Sequence, residues 1–169
     1  MIEIIRANKN HIKDIQDVSD VAWPHTFKEV LSPGQIRYMM DWMYSNESLQ
    51  EQMDVKDHHY FLAKENDKFL GYMSIQHNCE NTGKTKIHKI YILPDMQKRG
   101  IGKQLLNTAI NEARKQSNTA IYLNVNKYNE SAIGFYKKSG FFLVKEEVID
   151  IGNGFVMDDY VFEKEIVYE

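Results

Sequence analysis

The stretch QKRGIG, Gln97 to Gly102, sets two glycines two residues apart, between the apolar run IYILP and a long amphipathic segment that begins at Lys103. Glycines at this spacing make a poor strand and a poor helix interior. They suit a helix start, where four backbone N–H groups lack partners and the dipole is positive. An anion fits there, and a bare backbone lets its oxygens approach closely. Lys98, Arg99 and Lys103 add formal charge. The pattern reads as a phosphate cradle, although a tight turn with a solvated basic rim satisfies the same spacing. Two familiar cradles do not match: Leu105 stands where a dinucleotide fingerprint needs its third glycine, and Gln104 stands where a P-loop needs Ser or Thr.

The elements that must hold this loop can be read from periodicity. MIEIIRA is a strand. Asn8 to Ala22 carries Ile12, Ile15, Val18 and Val21 at helical spacing, and Trp23-Pro24 is expected to end that helix. Ser32-Pro33 is a cap and first-turn pair for a second helix through about Tyr44, and a short helix covers Ser48 to Met53. HHYFLAKE and KFLGYMSIQ flank Asn66-Asp67, a hairpin signal, and TKIHKIYILP completes an antiparallel meander. After QKRGIG, Ile101, Leu105, Leu106, Ala109, Ile110 and Ala113 form one apolar helix face. TAIYLNV is a strand, NESAIGFYKK a short helix, and GFFLVKEEV and GFVMDDYVFEKEI close the chain as strands. The expected fold is α/β: a mixed, mostly antiparallel central sheet of about seven strands with helices on both faces. No linker or repeat divides the chain, so residues 1–169 read as a single domain.

Composition narrows the function. With 169 residues, 43% hydrophobic, and a net charge of −3, the chain has material for one core and no polybasic surface for nucleic acid or anionic membrane. Its apolar runs fall short of the ~18 residues of a membrane span, and its start lacks a signal-peptide pattern. A single cysteine, Cys79, forms no internal disulfide and suits a reducing, cytoplasmic setting. Metal-ligand spacings such as CxxC, HxH and HExxH are absent, and the adjacent His58-His59 point to opposite faces of a strand, so no metal is expected.

QKRGIG and its setting resemble the pyrophosphate loop, Q/RxxGxG/A, of the GCN5-related N-acetyltransferases (GNATs). LNVNKYNESAIGFYKKSGF resembles their second signature, with Asn129, Ala132, Phe135-Tyr136 and Gly140-Phe141 in place. The match covers roughly Tyr60 to Phe142. TFKEVLSPGQIRYMMDWMYS and MDDYVFEK look more distantly like bacterial polyamine or diamine acetyltransferases. The resemblance implies acetyl-CoA as cosubstrate and a small primary amine, such as a polyamine, as acceptor, joined by direct attack without an acyl-enzyme. Acetylation of a peptide N-terminus or lysine, and a non-catalytic acyl-CoA sensor, are the alternatives. Family members are often dimers, so a homodimer is compatible with it.

The resemblance also assigns residues. Backbone amides of Arg99, Gly100, Ile101, Gly102 and Lys103 would meet the pyrophosphate, and Gln97 and Lys98 of the same loop would also contact the cofactor. The strand Ile90, Tyr91, Ile92 would pair with the pantetheine arm, Ile92 offering its N–H to the thioester oxygen; core packing explains the isoleucine side chains equally well. Asn129 would touch the same arm, or serve only as a helix cap. Asn124 would line the slot where the sheet splays, or serve a turn. Tyr136 would protonate the departing thiolate, the alternative being an aromatic packed under the sheet. His88 stands at a position where several members carry a Glu that relays protons; alternation sets it on the face of Ile90 and Ile92, and an imidazole suits a base. Trp23, His25, Phe27, Tyr38 and Tyr44 would wall the acceptor pocket unless they are core. Glu29, Asp41, Asp158 and Asp159 are the carboxylates available for a second ammonium. Asp158 and Asp159 point to opposite strand faces, so at most one serves; Asp158 is the expectation.

Overall fold

The protein is described by a computed structural model covering residues 1–168. Seven strands form one sheet in the order β1-β2-β3-β4-β5-β7-β6. They are β1 (Ile2–Arg6), β2 (His59–Glu65), β3 (Lys68–Gln76), β4 (Thr85–Ile92), β5 (Ala120–Asn126), β6 (Phe142–Gly152) and β7 (Phe155–Glu165). Only β4 and β5 run parallel. Five helices cover the faces: α1 (Ile12–Phe27), α2 (Pro33–Tyr44), α3 (Asn46–Asp54), α4 (Ile101–Lys115) and α5 (Glu130–Lys138). The element order agrees with the pattern read from the sequence.

Each face buries its own core. On one side α4 and α5 bring Ile101, Leu105, Ala109 and Tyr136 onto Met73, Ile75, Ile87 and Leu123. On the other, α1, α2 and α3 bring Trp23, Phe27, Tyr44 and Leu49 onto Tyr60, Leu62 and Tyr72. Ser32 caps α2 and Pro33 opens it, as expected. The β2–β3 hairpin turns at Asn66, whose φ of 56° is the left-handed value such a turn requires.

Pro24 does not end the first helix. α1 continues to Phe27, and Lys28 N–H still donates to Pro24 C=O at 2.9 Å. An interior proline costs about 3 kcal/mol. Remaining helical buries Phe27 beside Trp23, with ring centroids 4.3 Å apart, and full burial of a large apolar side chain contributes roughly 1.5–3 kcal/mol.

Two irregularities shape the centre of the sheet. The β3–β4 register steps from Ser74↔Lys89 to Ile75↔Ile87, leaving His88 as a bulge. A bulge bends its strand and sharpens the local twist. On the other edge of β4, pairing with β5 stops at Ile87↔Leu123, although β4 runs on to Ile92 and β5 to Asn126. Beyond the bulge the two strands part, and the gap between them is where the site forms.

Candidate active site

A groove of about 590 Å³ runs from the Gln97–Lys103 loop along β4 to the start of α5. At its loop end the first intrahelical bond of α4 is Gln104 N–H to Gly100 C=O, so the amides of Ile101, Gly102 and Lys103 have no acceptor within the helix. Gly100 adopts φ 78° and a Cβ there would meet nothing within 4 Å, which leaves open space over those amides. Gly102 is tight instead: a Cβ would lie 3.2 Å from Phe135 Cζ and 3.3 Å from Ile92 Cδ1. The loop therefore fits a diphosphate: Gly100 supplies the left-handed conformation before three free amides, and Gly102 lets α4 pack closely on Phe135 and Ile92. Lys98 and Lys103 line the groove. Arg99 does not; its guanidinium turns out to Glu65 at 2.8 Å, so its expected contact reduces to its backbone.

Along β4, Leu93 N–H donates to Leu70 C=O of the neighbouring chain segment. Alternation then turns the amides of Ile90 and Ile92 the other way, toward the gap left by β5. Ile90, Tyr91 and Ile92 all line the groove. Asn129 caps α5, accepting from Ala132 N–H at 3.3 Å, and also lines the groove. Its capping role is therefore observed.

A second cavity, about 150 Å³, opens in the cleft between β4 and β5. It shares Ile90, Tyr91, Asn129, Ala132 and Tyr136 with the groove. Tyr136 is 5% exposed and packs edge-on against Phe135 and Phe141. Burial, with Tyr91 adding to it, pushes its phenol well above the usual range, so it stays protonated at any physiological pH.

The second cavity is walled by Trp23 and Phe27 from α1, Met39 and Met43 from α2, and Met157 from β7. Besides Asn129 and the tyrosines, its polar groups are Lys89, His88, Asn124, Asn126 and Asp159. Asp159 is 4% exposed; Oδ2 accepts from Asn124 Nδ2 at 3.3 Å, and Oδ1 is buried without a partner. Burial raises its pKa, the Asn124 bond opposes this, and Glu147 adds to it. Asp158 faces the other way and pairs with Lys127 at 2.9 Å. The expectation of Asp158 is thus corrected to Asp159, which sits opposite Asn126 in the β5–β7 ladder and shares its face.

Two other expectations move. Tyr38 reaches neither hollow; its hydroxyl donates to Ile151 C=O at 2.7 Å and its ring meets Phe155, docking α2 on the β6–β7 hairpin. His25 lines the groove rather than the second cavity.

His88 is also displaced. The bulge breaks the alternation that would align it with Ile90 and Ile92, and those two pack against the α4 core. His88 instead stacks on His58, ring centroids 4.1 Å apart, and its Nε2 meets Gln76 Oε1 at 2.9 Å. Burial, then His58, then Lys86 and Lys89 hold it far down in its neutral form. An imidazole so reluctant to protonate is a poor proton sink near neutral pH.

The family model for the acetyltransferase (GNAT) family matches residues 16–141, three quarters of the chain. The chain belongs to the GNAT acetyltransferase family. It is an N-acetyltransferase that draws its acetyl group from acetyl-CoA. A curated relative, an uncharacterised N-acetyltransferase of Lactobacillus delbrueckii subsp. lactis, is 22% identical over 98% of both chains. A peptidyl-lysine N-acetyltransferase of Salmonella typhimurium is 35% identical over 74 residues, 43% of this chain and 48% of that protein. Among solved structures, the PaiA N-acetyltransferase of Thermoplasma acidophilum in complex with coenzyme A superposes with a TM-score of 0.82 at 21% identity, covering 98% of this chain and 99% of that one.

Within this GNAT site, sequence reasoning missed Lys89. It is 7% exposed, and its Nζ donates to Tyr60 Oη at 2.7 Å and Gln52 Oε1 at 2.9 Å. The signal was present: in TKIHKIYI a lysine stands inside a strand that is covered on both faces. Met39, Met43 and Met157 had no such signal, since methionines at helical or strand spacing read as core.

Proposed function

We propose that the acceptor is a small aliphatic amine carrying a second ammonium, a diamine or polyamine, and that it attacks the thioester directly. The observation that carries this is Asp159. A buried carboxylate oxygen without a partner, walled by Trp23, Tyr91 and three methionines, suits an alkylammonium: charge for the carboxylate, methylenes and aromatic faces for the chain.

In this reading the free amides of Ile101, Gly102 and Lys103 hold the diphosphate of acetyl-CoA, and Ile90 and Ile92 offer backbone donors along the pantetheine arm. The Ile92 N–H stabilises charge developing on the thioester oxygen, where preorganised donors are most effective. Tyr136, shared by both cavities, gives its proton to the sulfur as the C–S bond breaks. The apolar surround that keeps Tyr136 neutral also disfavours a free thiolate there, so the two acids rise together. Cys79 is buried in a turn outside both cavities, which supports direct attack over an acyl-enzyme. The free thiol also fits a reducing, cytoplasmic compartment.

A peptide lysine is the second reading, favoured by the peptidyl-lysine acetyltransferase relatives. The two separate in one competition assay. Thiol release from acetyl-CoA is followed with spermidine, putrescine and lysine peptides. The diamine reading expects kcat/KM for the polyamines to exceed that for the peptides; peptide preference would overturn it.

A further inference from the structure

Lys89 is the one lysine of the sheet interior that lines the acceptor cavity, and its Nζ has no carboxylate within 4 Å among the described residues. Its neighbours are neutral: the Tyr60 hydroxyl, the Gln52 amide oxygen, the Met43 carbonyl at 3.5 Å, and the Tyr44 ring with its centroid 4.3 Å away. Each serves an ammonium or an amine alike. Tyr60 gives its own proton to Gln52 Oε1 and so is an acceptor toward Lys89 in both states, which leaves the lone pair of the neutral amine for another proton. These neighbours accept from N–H groups that both protonation states possess, and no carboxylate fixes the charge.

We propose that Lys89, as a neutral amine, takes up the proton that the acceptor ammonium must lose before it attacks. The proposal rests on the acetyl-transfer reading above. An N–H bond of the substrate ammonium breaks and the proton moves to the lone pair of Lys89 Nζ. The freed amine forms its C–N bond at the thioester carbon. The C–S bond then breaks, Tyr136 gives its proton to sulfur, and the phenolate recovers one from the new amide nitrogen. Lys89 returns its proton to solvent.

The bulge at His88 gives Lys89 its place, turning β4 so that Lys89 enters the cleft beside Ile90. The charged and titratable groups around it are few. Lys56 acts on it from the loop after α3, His58 and His88 are held neutral, Tyr44, Tyr60, Tyr72 and Tyr91 stay protonated, and Asp159 lies elsewhere in the cavity wall. Burial first, and Lys56 second, bring the Lys89 ammonium down to about 7, where a general base is most useful.

The test is a pH profile of kcat/KM with spermidine. Wild type should rise to a break near pH 7 and stay level until the amine itself deprotonates near ~10. Lys89→Met should lose the break, rise steadily toward ~10, and fall about 100-fold in kcat at pH 7.5, with coenzyme A binding by calorimetry unchanged. Lys89→Arg, permanently charged, should behave like Lys89→Met rather than restore activity. A break near pH 7 that survives in Lys89→Met overturns the proposal. Should the variants not fold, NMR of ¹⁵N-labelled lysine in the wild-type chain decides: titration of Lys89 near 7 supports the role and titration near its ordinary 10.5 overturns it. Failure of the wild type to bind coenzyme A would instead sink the acetyl-transfer reading, a result the lysine titration does not imitate.

Discussion

Asn124 holds one oxygen of Asp159 at 3.3 Å and leaves the other buried without a partner. The same Asn124 amide reaches Glu147 Oε2 at 3.0 Å, and Lys145 and Asn124 hold Glu147 ionised. Asp159 thus sits buried beside a fixed negative charge. A native fold keeps such an arrangement at a cost in stability, and a bound cation relieves it.

Asp159→Asn should therefore separate function from stability. The folded pKa of Asp159 is raised, so the folded chain holds more protons than the unfolded chain above the ordinary carboxylate range, and stability declines as pH rises through that window. Removing the charge should raise Tm at pH 7. It should also raise KM for spermidine roughly 10- to 100-fold, the range for losing a charged hydrogen bond. Asp158→Asn, which breaks only the Lys127 pair, should leave KM unchanged. Steady-state kinetics with a melting curve checks both.

Tyr136→Phe keeps the ring and its edge contacts with Phe135 and Phe141. Coenzyme A affinity and Tm should hold, while kcat falls about 100-fold. Stopped-flow turnover beside calorimetry distinguishes this from a packing defect, which would move Tm.

The loop makes a paired prediction. Gly102→Val would crowd Phe135 and Ile92, already 3.2 and 3.3 Å from a first carbon, and should weaken coenzyme A binding more than tenfold. Arg99→Ala removes an exposed, solvent-screened ion pair with Glu65 and a contact with Met96 Sδ, and should change coenzyme A binding little. Calorimetric titration of both variants reads the contrast.

Histidines 58 and 88 predict acid sensitivity. Burial brings His58 down to about 4, with Lys89 and Lys56 contributing, and holds His88 lower still. Below the ordinary histidine value of 6.5 the unfolded chain binds protons that the folded chain refuses. Stability should fall as pH drops from 6.5 toward 4 and level off above 6.5. His58→Phe preserves the stack on His88, and His58 Nδ1 has no partner to lose. The variant should flatten that slope in urea melts between pH 7 and 5.

Much of this was legible in the chain itself. Periodicity placed α4 and the β2–β3 hairpin, because both repeat patterns are set by faces that are buried along their whole length. Ser32-Pro33 and Asn66 announced their boundaries through local chemistry. The free amides at the start of α4 were legible because the glycines around them answer to backbone geometry. What failed depended on contacts far apart in sequence. Pro24 stays in α1 because Phe27 has a core to reach. His88 leaves its face because β3 and β4 slip register there. Asp159 rather than Asp158 enters the cavity because of its ladder position opposite Asn126. None of these can be settled by one strand considered alone.

The central claim is that the groove delivers acetyl to an amine held in the Asp159 cavity. The most direct measurement is mass spectrometry of spermidine or putrescine incubated with acetyl-CoA and enzyme, wild type beside Asp159→Asn. The account predicts an amine heavier by one acetyl group with the wild type, and far less of it with the variant at low amine concentration. Acetylation that proceeds equally in both, or a wild type that binds coenzyme A yet leaves every diamine unmodified, would contradict it.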